Sequence, residues 1–277
     1  MVYYHVELGP SRGWADRGVR ASTMEDDASG AAMRAQSLEL VLATNESITI
    51  DLRPLPSPDE LEVVVDVLVE EKPPAYFWTA LAARCWNAER RAEAELIVAR
   101  GCAILPVHRP EESVPLFALQ AAFHLTDARA APKQVLSDAR YQSLGERAPK
   151  QHYFRQAVEA LNRAQSLNPQ HPMMLQARAA FALATGDNAL ATRLFDVLLS
   201  RVPTNPVALL GRACVQLRAR AYLAALHSYQ AVLRIALRLD QLAAARKDAS
   251  LRWVGADARI GIGLCLWGLG RMDAALR

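Results

Sequence analysis

Apolar positions along this chain fall mostly at helical spacing, and from residue 75 onward a pattern of apolar, small and proline positions returns after 34 residues. Pro169 comes back as Pro203, Pro172 as Pro206, Leu175 as Leu209, Ala179 as Ala213, Ala191 as Ala225 and Phe195 as Tyr229. Before that register begins, 47–52 (SITIDL) alternates with period two and is β-branched, as a short strand or extended arm would be. Pro54, Pro56 and Pro58 then stop regular structure. Ser57, with Glu60 three residues on and Pro58 at the first helical position, is a capping box that predicts a helix over about 58–71. Residues 1–45 mix Gly, Ser, Arg and acidic residues without sustained periodicity, so a disordered extension is expected there.

A 34-residue period marks the tetratricopeptide repeat, two antiparallel helices that must stack on further copies to bury their apolar faces. The first repeat opens at Ala75, and its consensus positions 4, 7, 8, 11, 20, 24 and 32 are Trp78, Leu81, Ala82, Cys85, Ala94, Val98 and Pro106. A large residue at position 4 and small ones at 8 and 20 let the two helices interdigitate, and the proline at 32 is expected to end the second helix. The second repeat is irregular. Its helices are predicted over 116–130 and 152–167, with a long inserted loop between them. Tyr141, Leu144 and Gly145 also match the register, but Pro149 would cut that helix short. The third and fourth repeats span 172–205 and 206–239. Position 32 of the fourth is Leu237 instead of proline, so its second helix is expected to run on to about residue 246. A fifth repeat begins near Ala256 and reaches position 22 at Arg277, so the array is expected to be truncated, with Ile260, Leu264 and Trp267 poorly covered.

The expected fold is therefore all-α: a right-handed superhelical solenoid of about four and a half tetratricopeptide repeats over 75–277, preceded by an extended arm and capping helix over 46–74. Composition agrees. The 277 residues are 52% hydrophobic but only 6% aromatic, which suits many short packed helices better than strands. The net charge of +3 and pI near 8.7 are too mild to imply nucleic-acid binding. Lysine occurs only at Lys72, Lys133, Lys150 and Lys247, the other basic residues being arginine. Cys85, Cys102, Cys214 and Cys265 form no CxxC pair, so reduced thiols are expected, not metal ligands. No stretch is apolar enough to span a membrane, and the N-terminus lacks the pattern of a secretory leader.

Chemistry has little to stand on. Gly261, Gly263, Gly268 and Gly270 suggest a nucleotide loop, but Leu266 holds the place of the third GxGxxG glycine, and helix packing is the better reading. Neither HExxH nor GxSxG occurs, and His5, His108, His124, His152, His171 and His227 share no spacing with a nucleophile. No catalytic residue, cofactor or metal is expected. Candidate binding residues come instead from positions 2, 5, 9 and 12 of each first helix, which face the concave groove of this repeat type. They are Tyr76, Thr79 and Trp86; Met173, Gln176 and Leu183; Val207, Leu210, Cys214 and Leu217; and Ile260, Leu264 and Trp267. That surface is mostly apolar. It lacks the Lys and Asn pair that clamps a terminal carboxylate, which argues against a chaperone-tail adaptor. The competing reading is that the groove closes on itself or on a second copy.

Particular phrases go further than the generic repeat: SITIDLRPLPSPDELEVVVDVL leading into YFWTALAARCW, then NPVALLGRACVQLRARAYLAALHSYQAVLR, then ARIGIGLCLWGLGRMDAAL. Over 46–277 the chain resembles the amino-terminal part of the Cln-three-requiring protein family, the repeat scaffold of the RNA polymerase II associated factor (PAF) complex. The most distinctive stretch is 208–214 followed by Tyr222, Ala225, Leu226 and Tyr229. It departs from the family at 131–150 and 240–255 and lacks the remainder of a longer array. The resemblance implies nuclear localisation, no catalysis, and a scaffold that holds other PAF subunits, and through them RNA polymerase II and chromatin, during elongation and coupled histone modification. Direct sequence-specific nucleic-acid or membrane binding is not expected. An unrelated repeat adaptor gripping an apolar peptide or helix is the other reading.

Overall fold

The structure, a computed structural model, describes residues 37–42, 46–52, 54–131, 150–245 and 256–275, with side chains 41, 239–245 and 256–257 left aside. Its first element is a hairpin of β1 (Ser37–Val41) and β2 (Ser47–Asp51), antiparallel with Leu38 opposite Ile50 and Leu40 opposite Ile48. Regular structure thus begins inside the extension expected to be disordered, because Leu38, Leu40 and Ile50 share a buried face, each 4% exposed. A strand of this length carries too short an alternation to stand out before its partner is known.

Helix α1 (Pro58–Glu71) starts as its sequence dictates. The Ser57 hydroxyl accepts from the Glu60 N–H at 3.4 Å, and the Glu60 carboxylate accepts from the Ser57 N–H at 2.8 Å, which holds that carboxyl below its ordinary range. Leu61, Val65 and Leu68 form its buried stripe, and Lys72 closes it in the left-handed conformation with φ 49°.

The helices that follow are α2 (Ala75–Asn87), α3 (Arg91–His108), α4 (Val114–Ala130), α5 (Lys150–Leu167), α6 (Pro172–Thr185), α7 (Asn188–Arg201), α8 (Pro206–Arg218), α9 (Tyr222–Ala245), α10 (Ala256–Gly268) and α11 (Met272–Ala275). Among the described residues the fold is all-α apart from the hairpin, as the repeat pattern predicts. Helix α9 does run past Leu237, to Ala245. Pro106, expected to end α3, lies in its last turn, and the helix continues to His108. The predicted inserted loop and the alternative match at Tyr141, Leu144 and Gly145 fall outside the described residues.

The chain divides into two compact units, residues 77–194 and residues 1–76 with 195–277, the divisions falling within α2 and α7. In the first, Trp78 is fully buried against Gly101 and Leu116, and α4, α5 and α6 share a core of Ala118, Ala121, Leu125, Ala157, Ala160, Leu161 and Ala177. Alanines at the contact let these helices approach closely. In the second, glycine on one helix receives an aromatic ring from the preceding one: Phe195 lies on Gly211, Tyr229 on Gly261 and Tyr222 on Gly268. The glycine run that resembles a nucleotide loop is thus used for packing at Gly261 and Gly268, while Gly270 makes the α10–α11 turn at φ 75°.

The same position caps successive repeats with different residues. Asn205 accepts from the N–H groups of Val207 and Ala208, each at 3.0 Å, at the start of α8. Its counterpart one period earlier, His171, caps α6 by accepting from the Met173 N–H on Nδ1 at 3.2 Å. That bond requires an unprotonated Nδ1, and burial pushes the His171 pKa below the ordinary 6.5. With the folded value lower than the unfolded one, stability is full above the ordinary value and is lost as pH falls through the folded value. We expect His171→Asn to keep the cap while removing this loss. Thermal melts at about pH 7.5 and about pH 5.5 should show the variant destabilised less by acid than the parent, by up to about 1 kcal/mol. Equal acid losses would exclude the cap as their source.

Candidate protein-interaction surface

The thirteen predicted groove residues do not share one environment. In the unit of residues 77–194, Thr79 has no exposed surface. It follows Phe77 and Trp78 on a helix that also buries Leu81, Ala82 and Cys85, so α2 is enclosed nearly all round and Thr79 cannot line a groove. Trp86 already has partners within this unit: Phe123 of α4 stacks on it at 4.0 Å with the rings 5° from parallel, and the Arg91 guanidinium lies 4.7 Å from its centroid. It fastens α2 to α4 instead of waiting for a ligand. Met173 packs against the α4–α5–α6 core, while Gln176 and Leu183 remain half-buried.

In the other unit, Val207 and Leu210 are 9% and 6% exposed. The first turns of α8 bury Pro206 through Leu210 in sequence, and a helix enclosed on every side presents no groove. Cys214 and Leu217, further along, are half-buried, and the Tyr229 hydroxyl reaches Cys214 Sγ at 3.5 Å. Tyr76 is 46% exposed. Of the thirteen, Ile260 and Trp267 of α10 are the most exposed, at 62% and 63%, and Leu264 on the same helix is 46% exposed. These three apolar side chains recur at i, i+4 and i+7 and therefore lie along one side of the helix. They form the surface to which the sequence reading reduces.

One polar site escaped that reading. A cavity of about 320 Å³ in the unit of residues 77–194 is lined by Glu95 of α3, by Phe123, His124 and Asp127 of α4, and by His152 and Tyr153 of α5. Burial, and then the charge of Asp127, raises the Glu95 pKa above its ordinary value. Burial lowers that of His124. Arg91 pairs with Asp127 at 3.3 Å and offsets part of this charge. The lining comes from three helices that are separate in sequence, which leaves no local motif to find in advance. Among the described residues no group of His, Cys, Asp and Glu is arranged to hold a metal ion. Two of the cysteines are held back from chemistry: burial pushes the Cys85 thiol up to about 11 and the Cys102 thiol up to about 12, so both stay protonated near neutral pH. No described helix is long and apolar enough to cross a membrane.

No family model matches the chain. It is 29% identical over 248 residues to Tetratricopeptide repeat protein 1 of Schizosaccharomyces pombe, a match covering 88% of this chain and 21% of that protein. The chain thus spans about a fifth of the length of that curated relative. Consecutive helical hairpins, the 34-residue register and this similarity agree on a tetratricopeptide-repeat fold, whose work is protein–protein interaction.

Proposed function

We propose that this chain is a non-catalytic scaffold segment of the RNA polymerase II associated factor complex, holding other subunits of that complex in the nucleus during transcription elongation and coupled histone modification. The observation that carries its interaction role is the exposed apolar line of Ile260, Leu264 and Trp267 on α10. Each such side chain buried on a partner would contribute roughly 1.5–3 kcal/mol before association costs. The choice of complex rests on the sequence phrases over 46–277, above all 208–214 with Tyr222, Ala225, Leu226 and Tyr229. An unrelated repeat adaptor that grips an apolar helix through the same line is the second reading, favoured by the generic name of the relative.

An affinity pull-down with the full chain from nuclear extract, read by mass spectrometry, tests this. Recovery of polymerase-associated factor subunits, lost with Leu264→Glu/Trp267→Glu, is the expected outcome. The control belongs on α10, because Leu210, the obvious groove leucine in sequence, is buried and a glutamate there would unfold the helix pair. A folded chain that recovers none of these subunits would leave only the adaptor reading.

A further inference from the structure

We infer that the cavity between α3, α4 and α5 receives an arginine side chain of a partner protein, a site separate from the α10 line and independent of which complex the chain serves. Its volume of about 320 Å³ falls within the roughly 300–1,000 Å³ of ligand sites. The most buried part of the lining is apolar: Val98 of α3 is 1% exposed and Phe123 of α4 is 5% exposed. Stacking on Trp86 fixes the Phe123 ring in place. The remaining lining is rich in groups that accept hydrogen bonds. They include the Glu95 carboxylate, the amide oxygens of Gln120 and Gln156, and the imidazole of His124, whose protonation burial opposes.

These acceptors outnumber the cations that face them. Arg91, one turn before Glu95 on α3, donates to Asp127 at 3.3 Å and lies 4.7 Å from the centroid of the Trp86 ring, so its charge is already engaged. Glu95 makes no ion pair among the described residues, and burial together with the charge of Asp127 holds its pKa above the ordinary value. His152 and Tyr153 of α5 complete the titratable groups of the lining. A cation beside Glu95 would offset the repulsion from Asp127, whereas an acidic group would meet two carboxylates. A guanidinium suits the site better than an ammonium. Its flat face packs on an aromatic ring, as that of Arg91 does on Trp86, and its edge donates up to five N–H groups to carboxylate and amide oxygens.

The test titrates the full chain, followed by NMR, with acetyl-Gly-Gly-Arg-Gly-Gly-amide and with the same peptide carrying lysine or citrulline at its centre. Citrulline keeps the shape of arginine and loses the charge. Saturable binding of the arginine peptide is expected, about tenfold tighter than the citrulline peptide and tighter than the lysine peptide. Glu95→Gln should remove the preference for arginine over citrulline while circular dichroism remains that of the parent, because Glu95 is exposed and supports no packing. No binding of the arginine peptide, equal affinity for the citrulline or lysine peptide, or an unchanged preference in Glu95→Gln would overturn the inference. So would binding that appears only in Lys133→Gln/Arg140→Gln/Arg147→Gln, since a basic residue of the chain itself would then hold the cavity. The pull-down from nuclear extract reports on the complex and these titrations on the cavity, so either reading fails without the other.

Discussion

Trp78→Ala is expected to cost about 3–5 kcal/mol of folding stability, the range for emptying a fully buried indole site. Trp78 is 0% exposed, and its ring lies where Gly101 leaves room: a Cβ on Gly101 would stand 3.0 Å from the indole and 2.9 Å from Leu116. Two helices and the indole therefore meet with no slack, and neighbours locked in this way collapse poorly into a cavity. Trp78→Phe separates volume from polarity. The indole Nε1 is buried without a hydrogen-bond partner, which itself costs about 1–3 kcal/mol, and phenylalanine removes that orphan while keeping most of the ring. Urea denaturation should place Trp78→Phe nearer the parent than Trp78→Ala. Comparable losses in the two variants would mean that the site does not depend on ring volume.

Gly211→Ala is expected to destabilise by about 1–3 kcal/mol or more, the cost of overpacking, although alanine is worth about 1 kcal/mol more than glycine in an exposed helix. The sign reverses because the new Cβ would stand 2.1 Å from Phe195 Cζ and within 2.6 Å of two further ring atoms. Phe195 is 2% exposed and has nowhere to retreat. Adding Phe195→Leu to Gly211→Ala should recover part of the loss, since the two positions share one contact and their effects cannot add. Equilibrium unfolding of the four members of this cycle measures it. A stabilised Gly211→Ala would show that the ring and the glycine do not meet. The Tyr229–Gly261 contact is the next copy of the same device, so Gly261→Ala tests whether it recurs.

Much of the architecture was legible because it is written in short-range terms. The Ser57–Glu60 box announces α1, the 34-residue register starts α8 at Pro206, and the absence of proline at Leu237 announces the long α9. The groove as a whole was not. Position numbers within a repeat say which side of a helix a residue occupies, and they assign Thr79, Leu210 and Ile260 the same side. Whether another element lies over that side depends on neighbours distant in sequence, and the outcome is 0%, 6% and 62% exposure.

The 34-residue period, the Ser57–Glu60 cap and the long α9 follow from the order of residues alone, because hydrogen bonding within a helix and the steric effects of Pro and Gly act over a few positions. Tertiary packing decided that Trp86 stacks on Phe123, that Leu38 and Ile50 pair across a hairpin, and that Glu95, His124, Asp127 and His152 share one cavity. These outcomes depend on which faces come into van der Waals contact. Dispersion and desolvation reward any close apolar fit, so the partner is chosen by the three-dimensional arrangement of the helices and not by spacing along the chain.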